Sequence, residues 1–386
     1  MKRTRHQKGY LYRKGNLWML RYYDHELRMD GTIDRIQKAH KLVEGVGEYR
    51  PKKAARLLAD EFLEPINDGR TTPQSTMTLT RFVEDQYLPF VQTHKRASTY
   101  HGYRNMWKRY LGPHGQITLR NFKTTDAEQI LERIAERNTL SCTTLAHIKA
   151  FLSGVFRYAK RRGVLNSENP IPDVVLPQGK LPGDTRAYSL EEVHRMLNVL
   201  PEPAATVVAA AAFTGARKGE IRGFLWENYD GEELHISQSF WRGHAVEPKT
   251  RSSKAPVPVI AQLADRLRLH RALSGSPGNG LMFFSSIGMP INLDALARDV
   301  IAPALAKADL RWCGWHAFRR GLATNLYRLG VSDKTIQRIL RHSNVAVTQN
   351  CYIKTVDGDA AAAMQSLELS LKNAPSMHLS ANQKPN

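Results

Sequence analysis

Three cysteines, Cys142, Cys313 and Cys351, are too few, too far apart and odd in number for a disulfide framework or a zinc site. They read as buried small side chains in a reducing compartment. No uninterrupted apolar run approaches the roughly 20 residues that a membrane helix needs. The basic start MKRTRHQKGYLYRKGN also lacks the apolar stretch of a secretory signal. The expectation is a cytoplasmic protein with no membrane partner. There is no internal repeat, no glycine loop of the phosphate-binding kind and no carboxylate cluster suited to Mg²⁺, so no cofactor is expected. Acidic residues are the other shortage: 36 Asp+Glu face 56 Lys+Arg, a formal net charge of +20. Such an excess calls for a polyanionic partner, nucleic acid first, and names no reaction.

What is present divides along the chain, whose length suits about two or three domains. YLYRKGNLWMLRYYD contains two β-rich runs around a hairpin turn at Gly15 and Asn16, and IDRIQKAHKLV supplies a third. RPKKAARLLADEFLEPIN follows as a helix with an apolar stripe of Ala54, Leu57, Leu58, Phe62 and Leu63. Residues 1–70 therefore form a small basic sheet-and-helix module. A polar linker, Asn67 to Thr76, leads to an all-helical region, 77–170, for which Ser98, Thr124 and Ser141 are the expected caps. There Lys95, Arg96, Arg104, Lys108 and Arg109 lie among Tyr100, Tyr103, Trp107 and Tyr110. Such aromatics build core, and the cations beside them suit a phosphate backbone. After the connector NPIPDVVLPQGKLPGDTRAY, a mixed region, 184–372, opens on a capping box, Ser189 with Glu192, and continues as helix, short strands and helices. The tail, 373–386, has little to bury and is expected to be disordered. The fold class is mainly α with small antiparallel β-sheets, that is, α+β.

The chemistry gathers in the third region. In FTGARKGEIRGFLW a Thr214-Gly215 turn precedes Arg217, and Glu220 lies one helical turn on, where it can fix the guanidinium fork. Lys249 falls at a hairpin in VEPKTRSSKAPVPV and can protonate a leaving oxygen, with Lys254 its rival. In GWHAFRRGLATNL, His316 and Arg319 share a helical face while Arg320 points elsewhere. LRHSNVAVTQNCYIK brings His342, a turn capped by Ser343 or Asn344, and a helix with Thr348 and Tyr352 on one face. A phenol, with its pKa near 10, attacks phosphorus only where cations surround it. Two arginines, two histidines, a lysine and a tyrosine thus make a metal- and ATP-independent phosphoryl-transfer site.

In that order these residues resemble the signature of the tyrosine recombinase family, the phage-integrase type of site-specific recombinase. The matching catalytic positions are Arg217, Lys249, His316, Arg319, His342 and Tyr352, with Glu220 in support. The helical region looks like the family's core-binding (SAM-like) domain, and residues 1–70 resemble an arm-type DNA-binding module. The resemblance implies a C-shaped clamp on double-stranded DNA and a homotetramer that exchanges strands through a 3′-phosphotyrosine. DNA-bending accessory proteins would be further partners, and the reaction would integrate or excise a mobile element. A catalytically silent DNA-binding regulator and a type IB topoisomerase-like enzyme are the alternatives. The chain departs from the family twice. Arg341 replaces the glycine common before the histidine, adding a charge near the site, and His342 and Tyr352 are ten apart where nine is frequent. The segment Ala360 to Leu371 is read as a short helix that either packs on a neighbouring protomer or folds back on its own domain.

Overall fold

A computed structural model describes residues 6–69, 72–181, 183, 185–247, 255–344, 346 and 349. Lys249, Lys254, Thr348, Cys351, Tyr352, the 360–371 segment and the 373–386 tail lie outside the described residues. The chain forms two compact units, Met1–Gly183 and Asp184–Asn386.

The first unit opens with an antiparallel meander of β1 (Tyr10–Lys14), β2 (Leu17–Leu27) and β3 (Ile33–Glu44), in which Leu20 opposes Leu11 on one side and His40 on the other. The β1–β2 turn uses Gly15 at φ 61°, open to glycine without penalty. Alternation along β2 sends Trp18, Leu20, Tyr22 and Asp24 inward. Helix α1 (Lys52–Asn67) covers that face with Ala55, Ala59 and Leu63. Of the apolar stripe read from the sequence, Leu63 is buried here and Phe62 packs against this core, while Leu57 is 69% exposed because Ala55 and Ala59 take the buried positions one helical turn apart.

The helical part runs through α2 (Leu79–Phe82), a π turn at Val83–Tyr87, α3 (Leu88–His94), α4 (Ala97–Met106), a π turn at Trp107–Leu111, α5 (Thr124–Arg137) and α6 (Cys142–Arg161). Each π turn precedes a proline, Pro89 or Pro113, whose missing N–H and bulky ring are relieved by the wider turn. Ser141 caps α6 through the Thr144 N–H. The other two expected caps differ: Arg96 and Lys123 occupy the N-cap positions, Ser98 lies inside α4, and the Thr124 hydroxyl donates to the Pro170 carbonyl. Trp107, Phe151, Phe156 and Leu131 anchor this core. The linker is packed where it is described, with Ser75 buried and the Thr72 hydroxyl donating to Val164 O at 2.6 Å.

Sheet and helices are tied by one buried cluster. Asp24, the fourth inward position of β2, accepts both Arg120 nitrogens, Nη1 at 3.1 Å and Nη2 at 2.7 Å, and Lys38 Nζ at 3.0 Å. Burial alone would raise its carboxyl; Arg120 and Lys38 outweigh it and hold the pKa below the usual range.

The second unit contains α7 (Leu190–Val199), α8 (Ala204–Thr214), α9 (Lys218–Ile221), β4 (Glu233–Leu234), β5 (Ser239–Trp241), β6 (His244–Val246), β7 (Val257–Pro258) and α10 (Ala261–Leu273). Then come α11 (Leu293–Leu296), a π turn at Ala297–Ile301 before Pro303, α12 (Ala302–Lys307), α13 (Trp315–Arg328) and α14 (Asp333–Leu340). The capping box of Ser189 and Glu192 is formed at α7. Helix α8, AATVVAAAAFT, has no polar face and is buried from Ala204 to Ala212, as expected of a central helix. Among the described residues, no helix is long and apolar enough to cross a membrane. Cys142 and Cys313 are half-buried rather than enclosed, since each sits beside a loop whose carbonyl, Gly179 or Arg311, faces the thiol.

Replacing Arg120 with alanine leaves buried Asp24 with Lys38 but without its bidentate partner and should cost about 1–3 kcal/mol. Urea denaturation of the full chain at pH 7 measures it, and the wild-type advantage should shrink as pH falls through the depressed Asp24 pKa.

Candidate active site

Helix α8 ends where Gly215 turns to φ 59°, and a Cβ there would meet Leu340 Cδ2 at 2.6 Å. The Thr-Gly pair is thus a left-handed cap that also allows α14 to approach. Arg217 follows as the N-cap of α9. Its backbone N–H donates to Glu220 Oε2 at 2.9 Å and its Nη1 to Oε1 at 2.8 Å. The guanidinium is 41% exposed while the carboxylate is buried, so the fork is held from behind and opens outward.

Arg319, on α13, is 1% exposed. Its Nη1 donates to Gly215 O at 2.6 Å, its Nη2 to Leu340 O, and its Nε to His342 Nε2 at 3.0 Å. A guanidinium cannot accept, so His342 Nε2 is the acceptor and the ring carries its proton on Nδ1. His342 is buried in a turn fixed by mutual bonds with Gln337. Burial, then Arg319, Arg217, His316 and Arg341, push its pKa down to about 3. His316 is exposed by area, yet the protein around its ring, followed by Arg319, Arg320 and Arg217, also lowers its pKa. Both imidazoles are neutral at pH 7 and can donate or accept without adding charge. Arg320 is turned away and donates to Arg186 O at 2.8 Å. Asn344 accepts from the Ala346 N–H at 3.0 Å and caps the turn beyond His342.

The structure thus brings Arg217, Glu220, His316, Arg319 and His342 into one neighbourhood, and Lys249 and Tyr352 lie outside the described residues. It also adds a residue whose role the sequence did not reveal. Arg341 is buried, and its Nη2 reaches Glu220 Oε2 at 3.0 Å, making the carboxylate a bridge between two guanidiniums. Burial would raise Glu220; Arg341 and then Arg217 overcome it and hold the pKa below the ordinary carboxylate range. Arg341 is itself lowered by burial, with Glu220 acting against the shift. The signal in the sequence was the arginine where glycine is usual.

In the first unit, Lys95, Arg96, Arg104, Lys108 and Arg109 are all exposed. Trp107 is buried, and Tyr100, Tyr103 and Tyr110 pack against the core, so the aromatics support the fold and the cations face out.

Among the described residues, a central apolar helix, short strands and a cationic cluster backed by the buried Glu220 carboxylate suit phosphoryl transfer. Residues 188–357 match the phage integrase family. A tyrosine recombinase XerC-like protein of Caldanaerobacter subterraneus subsp. tengcongensis is 24% identical, over 88% of this chain and 95% of that relative. An integrase of Streptomyces ambofaciens is 23% identical over 80% of this chain and 84% of its own length. Two solved structures share the fold. One is the Tn1549 transposon integrase in complex with transposon right end DNA (TM-score 0.61, 20% identity, 76% of this chain, 100% of that one). The other is a lambda integrase tetramer bound to a Holliday junction (TM-score 0.56, 17% identity, 90% and 96%). Over residues 188–357 the chain is similar to the phage integrase family, and its relatives are tyrosine recombinases and integrases.

The folded pKa of His342 lies below its ordinary value of 6.5. The unfolded chain therefore takes up the proton first, and stability falls as pH drops from about 6.5 towards 3, by up to about 1.4 kcal/mol per pH unit. Melting temperatures from pH 7 to pH 5 should drop less steeply for His342→Gln than for the unaltered protein.

Proposed function

We propose that this protein is a site-specific recombinase that integrates or excises a mobile element, breaking and rejoining DNA through a 3′-phosphotyrosine at Tyr352. The observation that carries the reading is the Arg319 guanidinium, buried and hydrogen-bonded to His342, beside the outward fork of Arg217. The Tyr352 hydroxyl gives up its proton to water as its oxygen attacks the scissile phosphorus and the bond to the 5′-oxygen breaks, and Lys249 supplies a proton to that leaving oxygen. Arg217 and Arg319 offset the charge that grows on the non-bridging oxygens, and His316 and His342 donate hydrogen bonds to them. Rejoining is the reverse, with a 5′-hydroxyl displacing the tyrosine, so the phosphodiester energy is conserved in the protein–DNA ester.

The partner is double-stranded DNA. Lys95, Arg96, Arg104, Lys108 and Arg109 are assigned to its backbone in a core-binding domain at 77–170, and residues 1–70 to a second DNA element. The outer face of the N-terminal sheet suits that role, because Arg35 stacks on exposed Tyr23 at 3.9 Å and Arg21 on Tyr12 at 5.2 Å. A catalytic domain at 184–372 acts in a homotetramer on paired sites, with DNA-bending accessory proteins assisting assembly and the cytoplasm as the working compartment.

A nicked suicide duplex carrying the attachment site should trap a covalent adduct on denaturing gels, absent with Tyr352→Phe. Persistence of the adduct in that variant would remove Tyr352 as nucleophile, and tight binding without any adduct would favour a silent regulator. Affinity should fall steeply with salt, roughly tenfold or more between 50 and 200 mM, as counterions are released. A triple alanine variant of Arg104, Lys108 and Arg109 should flatten that slope in a fluorescence titration.

A further inference from the structure

Arg341 closes α14 at φ 58°, ψ 43°, a left-handed conformation that glycine adopts freely and an L-residue does not. The side chain on this strained backbone turns inward and is fully buried. It meets Glu220, whose Oε2 also accepts the Arg217 N–H and whose Oε1 holds Arg217 Nη1. One carboxylate therefore links the cation before His342 in sequence to the cation facing the phosphate. With Arg217 as its sole cationic neighbour, Glu220 would draw on that guanidinium's charge and repel a phosphodiester. With Arg341 in place, the carboxylate is neutralised from the protein side.

We propose that Arg341 is a positioning residue for DNA cleavage: through Glu220 it fixes the turn carrying His342 against Arg217 and frees the charge of Arg217 for the phosphate. This inference rests on the recombinase reading. It differs from a packing role in its sign. If Arg341 matters because it balances Glu220, then neutralising Glu220 as well should restore activity; if it only fills space, the second change should add damage.

The test is single-turnover adduct formation by the full chain on the nicked suicide duplex, with DNA affinity and melting temperature measured in parallel. Arg341→Met should slow cleavage by about tenfold or more while affinity changes by less than about threefold. Arg341→Lys should recover most of the rate. Arg341→Gly, whose backbone suits the turn, should melt no lower than Arg341→Met yet cleave as slowly. Adding Glu220→Gln to Arg341→Met should speed cleavage by about fivefold or more over Arg341→Met alone, a coupling of opposite sign to two independent losses. Wild-type cleavage by both Arg341→Met and Arg341→Gly, or further slowing on adding Glu220→Gln, would overturn the inference and leave the recombinase reading intact. No adduct from the unaltered protein on its own site would overturn both.

Discussion

The second unit depends on one buried cation. Arg319 joins three segments far apart in sequence: the end of α8 through Gly215 O, the end of α14 through Leu340 O, and the turn beyond it through His342. A buried guanidinium is tolerated only when its N–H groups find acceptors, so the geometry of all three segments is set by its fork. The same bonds choose the tautomer of His342 and help to keep it neutral. Folding and the candidate site therefore make the same demand here, because the contacts that satisfy Arg319 also orient His342.

The first unit uses a carboxylate in the complementary way. Asp24 occupies a position that strand alternation reserves for a core residue, and Arg120 and Lys38 make that placement tolerable. The sheet is thus oriented on the helical part by a bidentate ion pair in addition to apolar packing. Its aromatic and cationic outer face is carried by this unit as a part of the same body.

The described part of the candidate site was legible in the sequence because its residue types are demanding: TG before Arg217, HxxR at His316 and Arg319, and His342 after α14. The hairpin at Gly15, the Ser141 cap and the Ser189–Glu192 box were legible for the same reason, being local. What escaped was either non-local or small. Asp24 and Arg120 are 96 residues apart, and Glu220 and Arg341 are 121 apart, so no window along the chain reveals either pair. The α1 stripe was right at Phe62 and Leu63 and misplaced at Leu57, because Ala55 and Ala59 carry little hydrophobic signal and yet are buried. Ser98 and Thr124 looked like caps by residue type, but the extended backbone falls at Arg96 and Lys123.

The two carbonyls that hold Arg319 belong to helix ends, Gly215 at the C-cap of α8 and Leu340 at the last turn of α14. Each helix C-terminus carries roughly half a negative charge spread over its terminal carbonyls. Two such ends directed at one guanidinium give it negative charge supplied by the backbone. Those carbonyls have no proton to gain or lose, so the negative charge they present to Arg319 does not change with pH.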